Sequence, residues 1–253
     1  MIILKTPREI ALMASAGQII AKVFLKAEQI IKPGLSTYEL DKICEQIIRE
    51  NLGSPTFLNY NGFPASVCLS VNDVLVHGIP SKKIILKEGD IVSLDVGVTY
   101  KGYCADAART YPVGKVTSLA KKLIEVTEES FFKAVALIKP GVSLGDISHA
   151  IQTHNEKHGY SLPRGYTGHG IGQNLHEDPI IPNVGLPNTG PTLKEGMCLA
   201  IEPMVAMGKP DTYVARDGWS VKMKDGKISS HYENTVVVTK NGYEILTLEK
   251  EVS

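Results

Sequence analysis

The segment Ile31-Lys32-Pro33-Gly34-Leu35-Ser36 returns 107 positions later as Ile138-Lys139-Pro140-Gly141-Val142-Ser143, and Lys87-Glu88-Gly89 returns at the same offset as Lys194-Glu195-Gly196. Lys-Pro-Gly and Lys-Glu-Gly are ordinary turn sequences, but two separated matches in one register point to a duplicated unit. Each copy reads as two helices followed by strands. Thr6, Pro7 and Glu9 open the first helix as N-cap, N1 and N3. Ile10, Ala14, Ile20, Val23, Phe24, Ala27 and Ile31 then keep near-helical spacing. Ser36 and Glu39 form a second capping box. The other copy offers a helix near 117–138 and another opened by Ser143 and Asp146, ending at Gly159. Strand-like runs follow near 66–72, 90–98, 103–112, 197–205 and 231–238. Helices bunched ahead of antiparallel strands predict an α+β fold of helix-helix-strand units related by a pseudo-twofold axis. With no linker-like segment, the expected organisation is one domain over 1–253, with halves at about 1–115 and 116–253.

Composition narrows the function. The 253 residues carry 27 basic and 27 acidic side chains, and 43% are apolar. A balanced charge gives no cationic footprint for nucleic acid or an anionic membrane. Lys5 and Pro7 break any signal-peptide core, and Lys22 and Lys26 interrupt the most apolar stretch nearby, so a cytoplasmic protein is expected. Cys44, Cys68, Cys104 and Cys198 lie far apart with no C-x-x-C pair, which suits reduced, individually packed thiols.

The chemistry lies in acids on buried strands. In Ile91-Val92-Ser93-Leu94-Asp95-Val96-Gly97-Val98, alternation puts the valines and Leu94 on one face and Ser93, Asp95 and Gly97 on the other. The repeat carries Asp95 onto Glu202, whose strand places Met197, Leu199 and Ile201 opposite Cys198, Ala200 and Glu202. A hairpin centred between residues 100 and 101 would set Asp95 directly across from Asp106, about 5 Å away. The second-half analogue of Asp106 is expected near 213. The candidate is Glu233, displaced by 20 residues, which implies an insertion holding Asp211-Thr212-Tyr213 and the Asp217-Gly218-Trp219 turn. Four converging carboxylates repel by about 4 kcal/mol per pair at 4 Å and an effective dielectric near 20. Protonation, basic side chains or metal ions must neutralise them. Asp106 alone could pair with Arg109, but the symmetric set of acids with imidazole favours a metal centre.

Three histidines suit that centre. His169 in Thr167-Gly168-His169-Gly170-Ile171-Gly172 and His77 in Val76-His77-Gly78-Ile79-Pro80 sit among glycines that admit close approach, and His176 follows His169 by seven residues. His154-Asn155-Glu156-Lys157-His158 places two histidines one helical turn apart, but Glu156 lies about 200° around the helix from His154, unlike zincins. This pair is expected on an exposed helix face. Gly168, Gly170 and Gly172 do not match the spacing of a dinucleotide loop.

These motifs resemble type I methionine aminopeptidases of the bacterial kind, with the duplicated "pita-bread" fold. The likeness spans the chain. It rests on Val76-His77-Gly78-Ile79-Pro80, Ser93-Leu94-Asp95-Val96-Gly97 with Asp106, Gly168-His169-Gly170-Ile171-Gly172 with His176-Glu177, Ile201-Glu202-Pro203, and His231-Glu233-Asn234-Thr235. The resemblance implies an antiparallel sheet enclosing the site and removal of N-terminal methionine from nascent chains and peptides whose second residue is small. It implies two divalent ions (cobalt, manganese, iron or zinc) on Asp95, Asp106, His169, Glu202 and Glu233. Glu202 would move protons, and His77 and His176 would contact the scissile bond. Tyr60, Phe63, Cys68 and Trp219 would form the methionine pocket, and Asn72, Val74 and Ser229 would bind a monovalent cation. Phe57 and Leu175 depart from the family pattern, which has cysteine in many bacterial relatives at the first position and often phenylalanine at the second. A monomer acting on chain termini, with the ribosome as a possible partner, is expected. The alternatives are a proline-specific peptidase or a non-catalytic peptide-binding relative of the same fold.

Overall fold

The computed structural model describes residues 1–249. Four helices carry the outer layer: α1 (Pro7–Ile30), α2 (Thr37–Glu50), α3 (Ser118–Val135) and α4 (Leu144–Lys157). The first-half strands are β1 (Ser54–Pro55), β2 (Cys68–Val71), β3 (Val74–Val76), β4 (Ile91–Tyr100) and β5 (Tyr103–Pro112). The second half has β6 (Thr167–Gly170), β7 (Glu177–Pro182), β8 (Cys198–Ile201), β9 (Met204–Ala206), β10 (Thr212–Val214), β11 (Val221–Met223), β12 (Ser229–His231), β13 (Glu233–Thr239) and β14 (Gly242–Ile245).

The duplication is visible bond by bond. Capping boxes at Ser36/Glu39 and Ser143/Asp146 start α2 and α4, whose ends are both offset by 107. Gly34 N–H donates to Leu86 O, and Gly141 N–H donates to Leu193 O. Leu86 N–H donates to Leu35 O, and Leu193 N–H to Val142 O. The repeated Lys-Pro-Gly turns therefore dock onto the repeated Lys-Glu-Gly turns in both halves, with Gly34 and Gly141 at φ +95° and +96°.

Strands from both halves share one sheet, in the order β1-β4-β5-β13-β8-β6-β7, with β2 on β4 and β14 on β13. Its apolar faces lie under the helices. Val92, Leu94, Val96 and Val98 pack with Ile20, Val23 and Leu40 of α1 and α2; Leu199, Ile201, Val236 and Val238 pack with Leu123, Phe131 and Ile147 of α3 and α4. Each buried aliphatic side chain contributes about 1.5–3 kcal/mol. α1 is long and apolar enough to cross a bilayer by length and composition, but its buried face, including Met13, Ala16, Ile20 and Val23, accounts for that character.

Two expectations need correction. The hairpin turns at Lys101-Gly102, both at positive φ (+47° and +84°), so Tyr100 pairs with Tyr103. Asp95 therefore faces Ala108, and Asp106 faces Gly97. The centre moves by a whole residue, which shifts the pairing by two and keeps both acids on one face as diagonal neighbours. His154 is buried, contrary to the exposed face expected for it, because α3 packs over that turn of α4; His158 is exposed.

Candidate metal centre

The sheet face turned away from the helices gathers the acids. β4 presents Ser93, Asp95 and Gly97 there, and β8 runs through Cys198 and Ala200 to Glu202. Gly97 must be small: a Cβ would lie 2.5 Å from the ring of Phe57. On β6, a Cβ at Gly168 would meet Ala200 O at 2.4 Å and one at Gly170 would meet Asp178 O at 2.0 Å, so His169 is the one position between them able to carry a side chain.

Asp95, Asp106, His169, Glu202 and Glu233 line one cavity of about 200 Å³ with His77 and His176. His169 Nε2 lies 3.5 Å from Glu202 Oε1 and 4.0 Å from Asp106 Oδ2, while its Nδ1 faces Gly170 O at 2.9 Å. That backbone bond holds the proton on Nδ1 and turns the Nε2 lone pair toward the acids. His231, to which no role in the centre was assigned from the sequence, points its Nε2 between Glu202 Oε2 and Glu233 Oε2, 3.6 Å from each.

The ladder registers explain His231. Asp106 faces Gly97 in the first half. The repeat carries Gly97 to Met204, and Met204 faces His231. Glu233 in turn corresponds to Ala108. The twofold thus relates Asp95 to Glu202 as expected, but it relates Asp106 to His231 and not to Glu233. The insertion is symmetric about its own hairpin, carrying β10 and β11, and a residue count along the chain could not reveal which side chain it brought into register.

Arg109, an odd number of residues from Asp106 along β5, faces the other side of the sheet. It donates to Ala108 O, Glu233 O and Asn234 Oδ1 and stacks between Phe24 and Tyr232. No lysine or arginine among the described residues forms an ion pair with the four acids. Burial pushes Asp95 up to about 7. Burial, then Glu233 and Asp95, raises Asp106 well above the carboxylate range; burial, then Asp106 and Asp95, does the same to Glu202. Glu233 is raised by burial and by Glu202. Burial holds His169 down at about 4 and His231 at about 3, so both rings are neutral donors of lone pairs at pH 7.

Asp95 Oδ1, Asp106 Oδ1, Glu233 Oε1 and His231 Nε2 are buried without a hydrogen-bond partner. Orphaned oxygens beside neutral imidazoles are what a divalent cation would satisfy. Two overlapping donor groups form here, Asp95/His231/Glu233 and Asp106/His169/Glu233, each with ligand atoms within 4.8 Å of one another. The donor set fits divalent metal.

The remaining predicted residues fall around this centre. Tyr60, Phe63, Cys68 and Trp219 line the same cavity, as do Phe57 and Leu175. Phe63 meets Trp219 edge to face at 5.2 Å, and Cys68 sits across the ladder from Asp95. Tyr60 Oη is 2.8 Å from His176 Nδ1. His77 follows β3 at φ +60°, a conformation rare for a residue with a side chain, held where Gly78 passes close to Leu69 O. The cavity opens into a groove of about 590 Å³ along His77, Tyr166, His176, Met204 and His231. Ser229 N–H donates to Asn72 O, bringing those two together; Val74 starts β3 two residues on. The Asn72 side chain is already engaged with Asp90 and Ile91, so any cation there would meet backbone oxygens.

The sequence profile of metallopeptidase family M24 matches residues 11–240, and the chain belongs to that family. Among its relatives, methionine aminopeptidase 1 of Bacillus subtilis (strain 168) is 51% identical over 247 residues, covering 98% of this chain and 99% of the relative. The methionine aminopeptidase of Escherichia coli (strain K12) is 45% identical, over 98% of this chain and 94% of its own length. In three dimensions the fold matches a crystal structure of methionine aminopeptidase from Thermotoga maritima with a TM-score of 0.97 at 45% identity, covering 98% and 100% of the two chains. A prolidase from Pyrococcus furiosus matches at 0.78 and 26% identity, with 66% of that chain covered.

Proposed function

We propose that this protein is a methionine aminopeptidase acting in the cytoplasm on the N-termini of nascent proteins and peptides whose second residue is small. The observation that carries the reading is the convergence of Asp95, Asp106, His169, Glu202 and Glu233, four acids and an imidazole with orphaned inward atoms, at the base of an aromatic cavity. Full-length similarity to methionine aminopeptidases favours it over a proline-specific enzyme, whose relatives are longer and more distant. The retained donor set speaks against a non-catalytic relative.

Asp95, Asp106 and Glu233 would hold one divalent ion, and Asp106, Glu233, His169 and Glu202 a second, with Asp106 and Glu233 shared. Bound there, the ions supply Lewis-acid polarisation and a water acidic enough to react near neutral pH. Glu202 accepts the proton of the attacking water and returns it to the leaving amine. His176 stabilises the developing oxyanion. With the Tyr60 hydroxyl donating to its Nδ1, the ring keeps its own proton on Nε2, free to donate. His77, in its fixed left-handed conformation, hydrogen-bonds the peptide group at the cleaved bond. The thioether fills the space between Phe63, Trp219, Tyr60 and Cys68, polarizable surfaces suited to sulfur. The wider groove takes the rest of the chain. A monovalent cation on the carbonyls of Asn72, Val74 and Ser229 would tie the β3 region to the strand leading into Glu233.

The test is a peptide panel with the apoprotein titrated by cobalt, manganese, iron and zinc in turn. Met-Ala-Ser should be cleaved, and a bulky second residue should slow turnover by about 100-fold. Hydrolysis of X-Pro dipeptides with methionyl peptides untouched would overturn the assignment.

A further inference from the structure

The histidine pair of α4, which fails the zincin pattern, finds a third partner that its own sequence context does not contain. Glu129 of α3 reaches across so that its Oε2 lies 3.2 Å from His154 Nε2. The His154 and His158 rings stand 4.7 Å apart at 55°, and one ligand atom from each of the three residues lies within 4.8 Å of the others. His158, the C-cap of α4, directs its Nδ1 to the carbonyl of His154 at 2.8 Å. That bond places the ring proton on Nδ1 and leaves the Nε2 lone pair free, the arrangement in which metal-binding histidines are held. Glu129 and His158 are exposed, so an ion can enter.

We propose that Glu129, His154 and His158 form a second, surface metal site, separate from the catalytic centre, for a borderline transition-metal dication such as Zn²⁺. Two imidazoles and one carboxylate with a fourth position open to water are a complete zinc donor set. Tetrahedral coordination needs ligand atoms about 3.3 Å apart at zinc distances near 2.0–2.1 Å. Closing the present spread of up to 4.8 Å calls for an adjustment that the exposed Glu129 side chain can supply most freely. The end of α4 adds the negative pole of the helix. Lys133 acts in opposition from the next turn of α3, so the site binds more weakly than the buried centre. Its role is to tie α3 to α4. In the first half the equivalent positions are Lys22, Ile47 and Asn51, and there a direct Lys22 Nζ to Asn51 Oδ1 hydrogen bond of 2.6 Å makes the link.

The experiment counts zinc on the holoenzyme by competition with a chromophoric chelator. Wild type should bind one equivalent more than E129Q/H158Q, with affinity reduced about tenfold or more in either single variant. H149Q, which alters another exposed histidine of α4, should keep the extra ion. Hydrolysis of Met-Ala-Ser should be equal in all of them, and Cu²⁺ bound in place of zinc should show coupling to two nitrogens that E129Q/H158Q reduces. Equal zinc counts in wild type and the double variant, or loss of the ion in H149Q, would overturn the proposal.

Discussion

The two halves of this molecule share a backbone plan and divide the chemistry unequally. The first half brings two acids, Asp95 and Asp106, on one long uninterrupted hairpin. The second half brings Glu202 at the place of Asp95, His231 at the place of Asp106, and adds His169 from β6 and Glu233 from β13. The first hairpin closes tightly at Lys101-Gly102, and the second is longer but extended symmetrically, so the register is kept. The difference lies in the side chains at matched positions, Glu233 where β5 has Ala108 and His231 where it has Asp106. Duplication built the frame, and departure from symmetry supplied nitrogen donors. A strictly symmetric hairpin pair would also hold four acids, but it would offer no neutral ligand from the strands that carry them.

The largest effect is expected at Asp106, the first-half acid that joins His169 and Glu233 of the second half in one donor group. Asp106→Asn should lower kcat by about 10³-fold or more and reduce the divalent metal bound per chain, read by steady-state kinetics and elemental analysis. Wild-type turnover with full metal would remove Asp106 from the chemistry.

Restoring the symmetry tests the second half. His231→Asp adds a fifth carboxylate beside Glu202 and Glu233, a repulsion of about 4 kcal/mol per pair at close range. The metal-free Tm should fall by on the order of 10 °C, and added divalent ion should recover most of it.

The raised acids predict a pH trend for the metal-free wild type. A carboxyl whose folded pKa exceeds its unfolded value favours the fold below the unfolded pKa, and that contribution is lost as pH rises through the folded one. Asp95, raised to about 7, loses its share between about 4 and 7, and Asp106, Glu202 and Glu233 continue the loss above that. His169 and His231, lowered to about 4 and 3, work in the other direction but only below the unfolded histidine value near 6.5. From pH 6.5 upward the metal-free Tm should therefore decline, and the decline should vanish on metal loading. A flat metal-free profile would mean that the acids are neutralised within the protein.

The smallest effect belongs to the pocket, where the asymmetry is purely one of packing. Trp219→Ala removes one wall against Phe63 and should raise KM for methionyl peptides about tenfold while leaving kcat within a few-fold, because the lost contact is shared by ground and transition states.

Much of this was legible in the chain itself. The offset of 107 located both helix pairs and their caps. Alternation placed Asp95 and Glu202 on the inner face correctly because a strand's period of two is local and needs no knowledge of the partner. His77 and His169 stood out by their glycines, which the close packing at Gly78, Gly168 and Gly170 explains. The family resemblance added the pocket residues, which four scattered aromatic and thiol side chains could not announce.

What the chain alone left undetermined shares one cause. Which residues face each other across a hairpin depends on the turn conformation, and which distant side chains meet depends on how whole elements pack. The positive-φ turn at Lys101-Gly102 moved Asp106 from opposite Asp95 to a diagonal position. The second hairpin's extension put His231 where counting predicted an acid. Packing of α3 over α4 buried His154 against Glu129. Side-chain direction is written in a few neighbouring residues, but coincidence in space is an outcome of long-range packing, and only the tertiary structure decides it.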